Sequence, residues 1–153
     1  MDVQIRRLQE NDLPDFIALL RVFETVFEMK NFQLPPHVHL KQLLARSDFY
    51  VFAALSDTGV VVGGLTAYTL IQYYSVQPLV YIFDLAIQKS FQRQGIGQAL
   101  ISAITHHCRA EGVEEVFVQA DRVDAHAVNF YRKTAACEED VVHFYYPLIK
   151  NDN

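Results

Sequence analysis

Hydrophobic and polar positions alternate from Val3 to Leu8, the period-two pattern of a half-buried strand. Asn11 and Asp12 then offer helix N-caps and Pro14 suits a first helical turn. Leu13, Ile17, Leu20 and Phe27, with Phe16 and Phe23 beside them, trace a helical stripe to about residue 28. Pro35-Pro36 breaks the chain, and His37 to Arg46 predicts a second short helix with Leu40, Leu43 and Leu44 on one side. Asp48 to Leu55 and Val60 to Leu70 predict a hairpin closed by the turn Ser56-Asp57-Thr58-Gly59. Leu79 to Ile87 is an almost continuous apolar run with one carboxylate, Asp84, inside it, which reads as a central strand covered on both faces. After the polar loop Gln88 to Gln94, a helix is predicted from about Ile96 to Ala110. Its Ile96, Leu100, Ala103, Ile104 and Cys108 share a face, and Gly112 closes it. Glu115 to Ala120 predicts another strand, Asp124 caps a short helix through about Lys133, and Cys137 to Leu148 predicts one or two closing strands. The order β-α-α-β-β-β-α-β-α-β describes a mixed α/β sandwich.

Composition narrows the class. The 153 residues, 51% of them hydrophobic, favour one domain over residues 1–153 with a sizeable core, and no repeat or linker divides them. The net charge of −5 argues against a nucleic-acid partner. Between Glu111 and Asp140 eight acids face only Arg122, Arg132 and Lys133, so this stretch carries the whole surplus. Such a field suits a cationic partner, and a solvated acidic face is the plain alternative. No basic, apolar leader pattern opens the sequence and no apolar run approaches the roughly 20 residues that span a bilayer. A soluble, cytoplasmic protein without a membrane partner is expected. Cys108 and Cys137 form no disulfide framework or metal knuckle. His37, His39, His106 and His107 lack Cys or carboxylate at ligand spacing, so no metal is expected.

The chemistry concentrates in Gln92-Arg93-Gln94-Gly95-Ile96-Gly97, a loop opening a helix after the apolar strand. A first helical turn has unpaired N–H groups and partial positive charge, a ready site for pyrophosphate. Gly95 and Gly97 remove the Cβ atoms that would hold a phosphate away, and Gln92 and Arg93 add donors. A flexible loop feeding a helix has the same composition. A dinucleotide fingerprint would need glycine where Leu100 stands, and no Gly-Lys-Ser/Thr exists for a nucleotide loop. Asp84 is the natural base candidate, because a carboxylate inside an apolar strand has its pKa raised by desolvation. A structural Asp bonded to backbone at a strand bulge fits the sequence equally. Tyr131 can donate a proton to a leaving group or serve as a core aromatic beside Phe130. No Cys-His or Ser-His pairing signals a covalent acyl-enzyme, so direct transfer is the simpler mechanism.

Gln92-x-x-Gly95-x-Gly97 after an apolar strand resembles the acetyl-CoA pyrophosphate motif of the GNAT family of N-acetyltransferases, and the element order agrees over essentially the whole chain. Asn129-Phe130-Tyr131-Arg132-Lys133 looks like that family's later motif. Tyr81-Ile82-Phe83-Asp84-Leu85-Ala86-Ile87, Val118-Gln119-Ala120-Asp121 and His143-Phe144 resemble the small aminoglycoside 3-N-acetyltransferases. The resemblance implies a mixed, mostly antiparallel sheet of six to seven strands with splayed central strands and about four helices on both faces. It implies acetyl-CoA as co-substrate and an aminoglycoside amine as acceptor, hence antibiotic resistance, with a homodimer as a family-level expectation. By position, Leu85, Ala86 and Ile87 match the strand end where family members bulge and bond the pantetheine arm. Gln92, Arg93, Gln94, Gly95, Ile96 and Gly97 match the pyrophosphate loop. Asn129 and Tyr131 match the residues beside the pantetheine and the sulfur, with Tyr131 acting on the departing thiol. Asp84 is then the general base.

An aminoglycoside site needs clustered carboxylates. Asp121 and Asp124 lie at the exit of a strand, and Glu28 ends the first long helix, where it can reach the same cleft. Arg122-Val123-Asp124-Ala125-His126 departs from the branch pattern, placing positive charge beside the expected cation site, and Thr134-Ala135-Ala136 replaces a usual Leu-Gly turn. Transfer to a polyamine or a protein amine is the alternative in the same class. A non-catalytic acyl-CoA-binding module is the alternative outside it, and Asp84 and Tyr131 argue against that.

Overall fold

Seven consecutive buried residues form β2 (Phe49–Leu55), and their side chains divide by parity between two cores. Phe49, Val51, Ala53 and Leu55 enter one core, and Tyr50, Phe52 and Ala54 enter the other. A strand apolar at both parities needs cover on both faces, and the helices provide it. In the computed structural model, which describes residues 2–149, β1 (Gln4–Arg7) is followed by α1 (Leu13–Val26), α2 (His37–Ala45) and β2. Then come β3 (Val61–Leu70), β4 (Leu79–Ile87), α3 (Ile96–Ala110), β5 (Glu115–Val118) and α4 (Ala125–Lys133). Phe16, Leu19, Val22 and Phe23 of α1 and Leu40 and Leu44 of α2 pack on one face of the sheet. Ile96, Leu100, Ile104 and Cys108 of α3 pack on the other. Each fully buried Leu or Ile here contributes roughly 1.5–3 kcal/mol.

The sheet runs β1-β2-β3-β4-β5, antiparallel except for the parallel β4–β5 pair. That pair ends at Ile82↔Val118, so Phe83 to Ile87 of β4 keep only β3 as a partner among the described residues. Gly64 lets β3 pass close to its neighbours: a Cβ there would sit 2.6 Å from the Phe52 carbonyl oxygen and 2.7 Å from Leu19.

The chain divides into two compact units, Met1–Gln119 and Ala120–Asn153. The sheet, both cores and α1 to α3 belong to the first. In the second, the Asp124 carboxylate accepts from the Ala127 N–H at 3.1 Å and caps α4, as expected of an N-cap. Arg132 donates to Glu138 at 2.7 Å and Arg122 pairs with Asp140.

Two expectations need correction. The sheet has five strands among the described residues, not six to seven. The closing strands expected over Cys137 to Leu148 are not formed either, and residues 136–148 carry no helix or strand. Val141, Val142, Phe144, Tyr145, Tyr146 and Leu148 are exposed. Strand formation needs a neighbouring ladder as well as a suitable side-chain pattern, and the pattern of this segment does not by itself supply one.

Candidate active site

The register of β4 sets the direction of Asp84. Ala67 pairs with Ile82 and Thr66 pairs with Asp84, so Phe83 is an extra residue, a one-residue bulge. Val80 and Ile82 before it face the α3 core, as do Leu85 and Ile87 after it. Uninterrupted alternation would have sent Asp84 into that apolar core. The bulge instead turns Phe83 and Asp84 toward the α1–α2 face, where both line a cavity of about 180 Å³. The family resemblance set the bulge at the strand end, Leu85 to Ile87; the irregularity lies earlier, at Phe83.

The cavity has apolar walls from Phe16, Leu20 and Phe23 of α1 and from Leu40 and Leu43 of α2. Thr66 and Tyr68 of β3 and His39 of α2 bring its other polar groups. Burial in this setting pushes the Asp84 carboxyl above the ordinary carboxylate range. The Tyr68 phenol is also raised, first by burial and then by the Asp84 charge, which opposes a second anion nearby. The sequence pattern does not mark Tyr68, brings in Phe83 only within the Tyr81 to Ile87 motif, and raises His39 only as a metal ligand. The available signal was the spacing Val80, Ile82, Leu85, Ile87, in which one interval of three interrupts intervals of two.

Leu85, Ala86 and Ile87 continue β4 along the side that β5 no longer covers, where among the described residues they have no strand partner. Beyond them, Gln92 donates from Nε2 to the Ile87 carbonyl oxygen at 2.9 Å, so its side chain ties the loop to the strand. Gln94 makes a longer contact to the Ser90 carbonyl oxygen at 3.4 Å. Arg93 is exposed and holds φ +61°. Gly95 is the N-cap of α3 in the left-handed region, φ +81°, with open space where a Cβ would stand. Among the described residues no side chain caps this helix start, so its N–H groups are open to an anion. Ile96 is buried in the α3 core and Gly97 lies in the first turn.

The acidic candidates divide between the two units. Glu28 lies past the end of α1 at φ +51°, is exposed, and is not part of the cavity wall. Asp121 and Asp124 are exposed in the second unit, where Asp124 already serves as the α4 cap. Arg122, expected as a free positive charge, is paired with Asp140. Asn129 is exposed on α4, and Tyr131 stands edge-on to Phe130 with centroids 4.9 Å apart. His107 is packed edge-on against Tyr50 and Phe52, and burial holds it below the usual imidazole range. Among the described residues no group of three or more His, Cys, Asp or Glu side chains is placed to hold a metal ion. No described helix is long and apolar enough to cross a membrane.

An open strand edge followed by a helix start without a side-chain cap suits a long ligand with a neutral arm and an anionic end, and the class is that of an α/β acetyltransferase by its family. The model of the Acetyltransferase (GNAT) family matches residues 13–136, and the chain belongs to that family, whose members use acetyl-CoA. It is similar, with 56% identity over 96% of this chain and 97% of the other and a TM-score of 0.94, to an aminoglycoside acetyltransferase from an uncultured soil metagenomic sample, crystallised with sisomicin. A second such enzyme from soil metagenomic DNA is 33% identical over 97% of this chain and all of its own, with a TM-score of 0.91. A ribosomal-protein-alanine N-acetyltransferase from Brucella melitensis, 20% identical with a TM-score of 0.76 over 95% and 99% of the two chains, shares the fold. No curated protein matches the sequence.

Proposed function

We propose that this acetyltransferase moves the acetyl group of acetyl-CoA directly onto an amine of an aminoglycoside, the 3-amino group, with residues 1–153 working as one domain. The observation that carries the reading is the aim of Asp84: one extra strand residue turns a carboxylate out of an apolar core and into a cavity beside the open edge of β4. A carboxylate whose pKa is raised by burial is a better base toward an amine than an ordinary one. The identity with a sisomicin-bound aminoglycoside acetyltransferase supports the acceptor class.

The residues present fit acetyl-CoA. Leu85, Ala86 and Ile87 offer backbone groups along the unpaired edge, and the α3 start offers N–H groups to the pyrophosphate, with Arg93 beside it and Gly95 leaving the approach clear. Bound there, acetyl-CoA supplies an activated acetyl thioester. Asp84 draws the acceptor ammonium into the cavity and takes its proton on a carboxylate oxygen, directly or through a water, leaving a neutral nucleophilic amine. Backbone N–H groups at 85–87 polarise the thioester carbonyl. By the family resemblance, Asn129 contacts the pantetheine and Tyr131 gives its phenolic proton to the departing thiolate. Glu28, Asp121 and Asp124 remain, from the acidic pattern of the sequence, the candidates for the other ammonium groups of the acceptor. A homodimer would cover the exposed Val141, Phe144, Tyr146 and Leu148, and sedimentation analysis tests it.

Thiol release with acetyl-CoA and a panel of sisomicin, gentamicin and spermidine tests the reaction. Turnover of the aminoglycosides, lost in Asp84→Ala with acetyl-CoA binding retained, is the expected result. Binding without turnover of any amine rejects it, and NMR of the product assigns the acylated nitrogen. Gly95→Val tests the cofactor site: its side chain either stands in the phosphate's approach or relaxes the loop out of φ +81°, which binding must then restore at about 1–2 kcal/mol, so the acetyl-CoA dissociation constant rises roughly tenfold. An unchanged constant rejects that assignment.

A further inference from the structure

Two large aromatic side chains stand open to solvent beside Asp84. Phe83, the bulge residue, is 57% exposed and Tyr68 is 39% exposed, although each lies on an interior strand of the sheet. Their rings meet edge to face, 5.8 Å between centroids and 87° between planes, and form a two-walled corner at the cavity with Asp84 and Thr66. The corner is braced from behind. Phe49 supports Tyr68 at 5.1 Å, Tyr81 supports Phe83 at 5.9 Å, and Tyr81 is itself stacked on Phe117 at 4.8 Å and 6°. Exposed apolar surface held this rigidly beside a lone carboxylate matches a ligand that is cationic at one atom and apolar over a face.

We propose that Tyr68 and Phe83 determine acceptor specificity by stacking on the C–H face of the saturated ring that bears the reacting amine, while Asp84 holds the amine itself. This rests on the acceptor reading given above and adds a selection rule to it: cyclic amino sugars are preferred to open-chain polyamines, which carry the charge but present no ring face. Aromatic faces carry negative quadrupole density, which attracts the polarised C–H bonds and the charged substituents of an aminocyclitol or amino sugar. Phe83 acts only through its ring. The Tyr68 hydroxyl is not needed, because the stacking surface is the same in phenylalanine.

The experiment compares wild type with Phe83→Leu, Tyr68→Leu and Tyr68→Phe on the full chain. Sisomicin binding is measured by calorimetry in the presence of CoA, and steady-state constants are measured for sisomicin, spermidine and acetyl-CoA. Each leucine variant is expected to raise the sisomicin dissociation constant and KM by about three- to tenfold. The acetyl-CoA KM and any spermidine KM should stay within about twofold, and Tyr68→Phe, which keeps the ring, should retain sisomicin affinity that Tyr68→Leu loses. Tyr68→Phe also guards against misfolding, and melting curves qualify the leucine variants. Equal losses on sisomicin and spermidine overturn the proposal, as does a sisomicin constant unmoved by removing the rings. A Tyr68→Phe defect as large as Tyr68→Leu overturns it in favour of a hydroxyl contact. Ring-dependent binding of sisomicin without turnover keeps this inference and rejects the acetylation reading. Turnover with ring-independent binding does the reverse, and no sisomicin binding at all rejects both.

Discussion

The two halves of β4 differ in pairing, burial and chemistry. Leu79 to Ile82 is hydrogen-bonded on both edges, with Val80 and Ile82 buried in the α3 core. Phe83 to Ile87 has a strand partner on one edge only among the described residues, starts with a bulge, and carries an exposed ring and a carboxylate. The first half anchors and the second half is available. A bulge beside an unpaired edge in a free-standing strand would slip in register, whereas four doubly paired residues upstream leave it little freedom. The site therefore draws its positional accuracy from a segment that has no chemistry of its own.

The comparison can be broken at several points. Asp84→Asn in the open half should lower kcat by about 10²- to 10⁴-fold, with the acetyl-CoA dissociation constant and the fold retained. Steady-state thiol release and calorimetry read the two effects separately. Ile82→Ala in the anchored half should do the opposite, lowering stability by about 2–5 kcal/mol in urea titrations while the folded enzyme keeps kcat within about twofold. A large rate loss in Ile82→Ala would show that the halves are not separable. Gly64→Ala, which drives a Cβ into the Phe52 carbonyl and Leu19, should remove about 1–3 kcal/mol by the same titration.

The smallest effect is on pH dependence. The folded Asp84 pKa lies above its ordinary value of 3.8, so ionising it disfavours the fold. Stability contributed at this residue is present below 3.8, falls as pH rises through the window up to the folded pKa, and is level above it. Asp84→Asn should accordingly gain melting temperature relative to wild type on passing from acid to neutral pH. The rate runs the other way, because the base must be ionised: it falls as pH drops through the raised pKa. Coincidence of the rate limb with an unshifted carboxylate would remove burial from the account.

The fold was legible where the pattern depends on the chain's own neighbours. Leu79–Ile87, Ile96–Ala110 and the Asp124-capped α4 lie where hydrophobic spacing and caps put them. It was not legible over 137–148, because apolar side chains announce that a surface is to be covered and do not name the cover. Asp84 was found as a carboxylate in the wrong surroundings, yet its direction depends on pairing with Thr66, a fact of register rather than of composition. Phe83 lies in a run that reads as covered on both faces, and its exposure follows from the same register. Gln92 was expected to reach toward phosphate, and its bond to the Ile87 carbonyl makes it instead a link between loop and strand.

The bulge at Phe83 also bears on how such a site can diversify. Which side of a sheet a residue looks toward is a matter of odd and even counting, and counting changes by insertion or deletion, not by exchanging one side chain for another. Substitutions around the cavity can therefore alter its size, charge and stacking surface while position 84 keeps its outlook. A lineage accumulating point mutations would explore new acceptors around a fixed base, and reorienting that base would take a change in the length of the strand.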